Sequence, residues 1–169
     1  MAGARQETGA EPATADREIV ISRVIDAPRE LVFEAFTRVR HLSRWWGPEG
    51  FTTTTTRSFA FRVGGEWDFV MHGPDGTDYQ EWITWMEIVP PARIALVHGE
   101  SRDDPNAFES TLAFAPHGTA TRIVMRTVFP TKQLRDQAVE EYHAIEGGEQ
   151  TLINLAAYVT DLARKGAEG

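Results

Sequence analysis

Between Phe51 and Phe129 the chain is cut at short intervals by turn formers, and this punctuation constrains its fold more than any other feature. The breaks are Val63-Gly64-Gly65, Gly73-Pro74-Asp75-Gly76, Val89-Pro90-Pro91, Asp103-Asp104-Pro105 and Pro116-His117-Gly118. Each brings a proline that presets φ or a glycine that tolerates positive φ, so the segments between them read as about six short strands. Within them Trp67, Phe69 and Met71 alternate with Asp68, Val70 and His72, and Thr121, Ile123, Met125 and Thr127 alternate with Arg122, Val124 and Arg126. Period-two alternation of this kind makes an antiparallel sheet with one covered and one wet face.

The sheet needs a cover, and the chain supplies one after Pro130. Leu134, Ala138, Tyr142, Ile145, Leu152, Leu155, Ala156, Val159 and Leu162 approximate one face of a long helix. Gly147-Gly148 interrupts it, and because each glycine costs about 1 kcal/mol against alanine in a helix interior, a kink, break or loop is expected there. Ahead of the sheet, Ile19 to Ile25 is a β-rich run that Asp26-Ala27-Pro28 ends, with Asp26 placed to cap and Pro28 to open a helix. Leu31, Val32, Ala35, Phe36 and Val39 give that helix its apolar stripe, and a further short helical turn precedes the strands. The order predicts an α+β domain over residues 17–165: a curved antiparallel sheet of six to seven strands wrapped around the terminal helix, with two short helices after the first strand.

Composition narrows the functional classes. The 169 residues carry a formal net charge of -8 with scattered basic residues, which argues against nucleic acid as a partner. The absence of cysteine removes disulfides, thiolate catalysis and Cys-ligated zinc. No stretch approaches the roughly twenty apolar residues of a membrane span, and no signal-like h-region opens the chain, so a cytoplasmic location is the expectation. Residues 1–16, rich in Ala, Gly, Glu and Thr without periodicity, read as a disordered leader.

Four segments, in order, resemble one family. Ile25 to Phe36 (IDAPRELVFEAF), Trp45 to Phe51 (WWGPEGF), Gly64 to Gly76 (GGEWDFVMHGPDG) and Glu87 to Ile94 (EIVPPARI) are similar to those of the START-related (SRPBCC) superfamily, in the branch named after the activator of the 90-kilodalton heat-shock protein's ATPase. The resemblance spans almost everything after residue 17. It implies a helix-grip fold with a cavity between sheet and C-terminal helix that takes apolar or aromatic ligands. The chain departs from the family pattern at Gly147-Gly148-Glu149, where a Gly-Trp pair would open the last helix segment.

The candidate ligand-binding residues are Trp45, Trp46, Phe51, Trp67, Phe69, Met71, Tyr79, Trp85, Phe108 and Tyr142. Large aromatic side chains serve core packing and pocket walls alike; Trp45 and Trp46, in front of Gly47-Pro48, suit a pocket rim. General acid-base candidates are Glu66, Asp68, His72, Glu81, His98, Glu109, Tyr142 and His143, although strand parity turns Asp68 and His72 outward. The histidines form no H-x-H or H-E-x-x-H spacing, so no metal is expected. His98-Gly99-Glu100-Ser101-Arg102 is not a nucleophile elbow, and Gly64-Gly65 is not a phosphate loop, so neither a catalytic motif nor a cofactor is expected.

On the fourth strand Tyr79, Ile83 and Trp85 read as one face and Trp82, Met86 and Ile88 as the other, an apolar outer surface that suggests a homodimer or, as the rival reading, a cover by the N-terminal leader. The functional expectation is a protein that binds a hydrophobic, aromatic or lipid-like small molecule in an internal cavity. The alternatives are a cyclase-, aromatase- or hydrolase-like enzyme using the same cavity and, third, a cochaperone-like domain with a chaperone partner.

Overall fold

The computed structural model describes residues 13–51 and 53–168. Of the expected leader, residues 1–12 lie outside the described residues, while the Thr14 hydroxyl already donates to Glu18 Oε2 at 3.0 Å and accepts from Arg126 Nη2 at 2.7 Å.

A single 3-10 turn leads into β1 (Glu18–Ile25), followed by α1 (Arg29–Glu34), α2 (Val39–Trp45), β2 (Thr53–Phe59), β3 (Glu66–His72), β4 (Asp78–Val89), β5 (Arg93–Gly99), β6 (Phe108–His117), β7 (Ala120–Val128), α3 (Lys132–Glu140) and α4 (Ala144–Glu168). The seven strands form one antiparallel sheet in the order β1-β7-β6-β5-β4-β3-β2. Consecutive hairpins run from β2 to β7, and β1 closes the far edge against β7. The expected α+β helix-grip architecture is the observed one, with α4 packed across the concave face.

Alternation selects that face. Ile19, Ile21 and Ile25 of β1, Trp67 and Phe69 of β3, Ile83 and Trp85 of β4, Ile94 and Leu96 of β5, Leu112 and Phe114 of β6 and Ile123 of β7 are buried together. Leu152, Leu155 and Val159 of α4 meet them from the other side, as i, i+3 and i+7 on one helical stripe. Asp68 and His72 point outward as parity predicts: Asp68 accepts from Arg57 Nε at 3.1 Å and His72 lies between Thr55 and Asp78.

Local readings change in three places. Pro28 itself is the N-cap of α1, with no side-chain cap bond, so Asp26 does not cap it. The helix does not break at Gly147-Gly148: α4 runs unbroken from Ala144 to Glu168. The break falls just before, where His143 takes φ 54° between α3 and α4. Gly148 serves proximity instead, since a Cβ there would lie 2.5 Å from Ile21 Cδ1 and 3.3 Å from Met125 Cε. Finally, a β-bulge between Trp85 and Glu87 inserts one extra residue in β4, so Ile88, paired with buried Ile94, faces inward instead of outward.

The bulge removes the continuous apolar outer face expected on β4. Met86 is exposed there, while Trp82 is held by polar neighbours: its indole donates to Glu66 Oε2 at 3.3 Å and the Arg102 guanidinium lies 4.7 Å from its ring centroid.

Candidate functional site

The concave face and α4 do not close on each other completely. Between them lies a cavity of about 430 Å³, walled by Ile19 and Ile21 of β1, Leu96 of β5, Leu112 of β6, Met125 of β7 and Leu152 of α4, with Gly148 in its helical wall. Trp45, Trp46, Gly47 and Pro48 close one end. Phe108, Phe129, Ala138 and Tyr142 border the other, where a second concavity of about 300 Å³ adjoins.

The Trp46 loop is tied to α4. Asn154 Nδ2 donates to the Gly47 carbonyl at 2.9 Å, and the Glu49 backbone N–H donates to Gln150 Oε1 at 3.0 Å. Gly47 is needed at that point: its φ is +101°, and a Cβ there would sit 2.5 Å from Met71 Cε. Trp45 is anchored by its indole N–H to the Ala35 carbonyl at 3.1 Å and meets Phe36 edge-on at 4.8 Å. Trp46 is half-buried against Trp67, ring centroids 5.4 Å apart.

Of the ten residues expected to bind ligand, five border this cavity: Trp45, Trp46, Met71, Phe108 and Tyr142. Trp67, Phe69 and Trp85 are fully buried and lie behind it as core; Trp67 and Phe69 stack face to face at 3.6 Å. Phe51 and Tyr79 pack on each other at 5.5 Å beyond it, and Phe51 lines a separate surface groove with Arg44, Glu49, Asp161 and Arg164.

Sequence reasoning passed over the aliphatic walls and the pairing of two acid-base candidates at the cavity. Glu81 of β4 and His98 of β5 both face the cavity, with Glu81 Oε1 2.6 Å from His98 Nε2. The β4–β5 register pairs His98 with Ile83, so Glu81 reaches it diagonally. Both had been acid-base candidates, and the signal joining them was parity: Glu81 shares a face with Ile83, as His98 does with Leu96. His98 packs on Phe108, ring centroids 4.8 Å apart, and lies 6.1 Å from Trp46.

The remaining acid-base candidates lie elsewhere. The Arg102 guanidinium, bonded to Glu66 on the convex face, holds that carboxyl below its usual range. Glu109 and His143 are exposed, and Tyr142 is exposed at the cavity's edge. Thr55 Oγ1, His72 and Asp78 form a hydroxyl–imidazole–carboxylate chain with 2.8 Å links, but on the open convex face, away from the cavity. Among the described residues no cluster of three His, Cys, Asp or Glu side chains could hold a metal ion, and no helix is long and apolar enough to cross a membrane.

A further buried imidazole lies outside the cavity. His41 of α2 shares a 2.6 Å hydrogen bond between its Nδ1 and the Tyr158 hydroxyl, while its Nε2 has no hydrogen-bond partner among the described residues. Burial lowers its pKa, Arg40 lowers it further, Glu34 opposes and Arg38 adds to the depression.

Solved structures share this architecture. A crystal structure of a Nitrosomonas europaea protein superimposes with a TM-score of 0.77 at 20% identity, covering 89% of this chain and 98% of that one. A solution structure of an Arthrobacter aurescens protein gives 0.78 at 24%, covering 89% and 90%. A Chromobacterium violaceum protein gives 0.73 at 26%, covering 85% and 96%. No curated protein matches the chain in sequence. The family model described as activator of Hsp90 ATPase homolog 1-like protein matches residues 26–160, about four fifths of the chain, and with the helix-grip fold around it this establishes that the chain belongs to that family.

Proposed function

We propose that this protein binds an apolar small molecule in the cavity between the sheet and α4. The observation that carries the reading is the cavity itself: about 430 Å³ walled mainly by aliphatic and aromatic side chains, within the roughly 300 to 1,000 Å³ of small-molecule sites. The side chains that line a space of that size make fewer dispersion contacts with one another than those of a well-packed core, and an apolar ligand supplies the difference. The helix-grip fold of this family is that of ligand-binding or cochaperone-like domains in general, and both the fold and the family are in keeping with the reading. Trp45, Trp46, Met71, Phe108 and Tyr142 contact the ligand in this proposal, with Ile21, Leu96, Met125 and Leu152 as its aliphatic bed.

The test is a titration of the full chain with naphthalene, followed by methyl NMR. Shifts concentrated on Ile21, Leu96, Met125 and Leu152 support the reading. A probe that shifts only surface methyls, or none, overturns it.

A second reading, an enzyme using the same cavity, is favoured by one observation. Glu81 and His98 form a carboxylate–imidazole pair there, and such a pair can move a proton.

A further inference from the structure

Resting on the cavity reading, we infer that the Glu81–His98 pair makes the cavity select an uncharged ligand that carries a hydroxyl group, and reject one that carries a carboxylate.

The pair is the ionisable feature at the neck of a mainly apolar space. It borders both the main cavity and the adjoining concavity, so a ligand whose apolar body fills the first brings its other end past His98. An ionised Glu81 can only accept, so the 2.6 Å contact requires the proton on His98 Nε2. That commits Nε2 and leaves Nδ1, which has no partner among the described residues and, unlike His41 Nε2, is not buried out of reach. With the ring neutral, Nδ1 offers a lone pair; with the ring protonated, it offers an N–H. A hydroxyl donates to the first and accepts from the second, so it satisfies either state.

Charge excludes the carboxylate. The pair carries one negative charge when the ring is neutral and none when it is protonated, so in neither state does it present net positive charge. The adjoining concavity adds Glu100 and Asp104 to Glu81 along the approach. A carboxylate would be desolvated among like charges, which raises its free energy with no net positive charge to compensate. Ser110 and Thr127, the other polar side chains facing the cavity from the strands, share a 3.1 Å hydrogen bond with each other.

The test uses three probes of nearly one shape on the full chain: naphthalene, 2-naphthol and 2-naphthoate, with Kd measured by tryptophan fluorescence and calorimetry. The expected order is 2-naphthol tightest, by roughly five- to tenfold over naphthalene, as one hydrogen bond in a desolvated site provides, with 2-naphthoate weaker than either. Within His98→Phe, 2-naphthol and naphthalene should bind with equal affinity, the hydroxyl preference being lost. In the unaltered chain the His98 ring nitrogens should shift in 15N NMR with 2-naphthol and stay put with naphthalene, a readout that does not depend on a variant folding. Naphthalene binding without hydroxyl preference, or 2-naphthoate binding as tightly as 2-naphthol, overturns this inference and leaves the cavity reading intact. Failure of all three probes to bind overturns both.

Discussion

Asn154, at the middle of α4, donates to the carbonyl of Gly47 at 2.9 Å and so fixes the loop that carries Trp46 over the end of the cavity. Gly47 is buried, so its carbonyl has little access to water once that donor is gone. Asn154→Ala should cost about 1–3 kcal/mol in urea unfolding, the range for a buried acceptor left without its donor. Amide hydrogen exchange at 46–51 should accelerate more than in the β-strands. Unchanged exchange in that loop would show that Trp46 is held by packing alone.

Two tryptophans of the core are equally buried but differently satisfied. The Trp67 indole donates to Thr56 Oγ1 at 3.1 Å, while the Trp85 indole nitrogen is buried without a partner among the described residues. Substitution by phenylalanine removes similar volume at both, but only at 67 does it also break a hydrogen bond. Trp67→Phe should therefore be less stable than Trp85→Phe by about 1 kcal/mol by chemical denaturation. Equal losses would mean that the Trp67 bond contributes nothing net.

His41 makes stability depend on pH in a definite direction. Its folded-state pKa lies below the ordinary value of 6.5, so below that pH the unfolded chain takes up the proton more readily than the folded one. The contribution of the neutral, buried ring is complete above about pH 6.5 and is lost as the pH falls through the folded-state value. Denaturation midpoints measured between about pH 7.5 and pH 5 should fall with acidity, and His41→Gln should flatten that slope. A variant as acid-sensitive as the parent would assign the effect to other groups.

Gly148 gives a direct handle on the cavity. A Cβ there points at the tips of Ile21 and Met125, both flexible chain ends, so Gly148→Ala should fold with little change, the gain in helix propensity of about 1 kcal/mol offsetting the crowding. Gly148→Leu should fill the cavity and weaken naphthalene binding at least tenfold while near-native circular dichroism is kept. Undiminished binding in the leucine variant would place the probe elsewhere.

How far these features could be read in advance depends on the range over which each is determined. Parity along β3 turned Trp67, Phe69 and Met71 inward because pleating is local, and that held. Parity could not say that Met71 borders a cavity while Trp67 and Phe69 lie behind it, since that depends on where α4 rests against a curved sheet. Ile88 went to the other face because a bulge shifts parity without leaving a glycine or proline to mark it. The Glu81–His98 pair spans two strands, and its meeting depends on a register that neither strand carries alone. At Gly147-Gly148 helix propensity pointed to a break, but the helix runs on through both, with Gly148 where a Cβ would crowd Ile21 and Met125, and the chain turns at His143 instead.

The glycine in α4 also fixes what kind of surface the cavity has there. Most of its lining consists of side chains that can change rotamer, so the space can adapt to differently shaped guests at a modest energetic cost. At position 148 the boundary is main chain held by helical hydrogen bonds, with no χ torsion to turn. That stretch behaves as a fixed template: a guest must match it in thickness, and discrimination by girth is built into the helix while discrimination by outline is left to the strands.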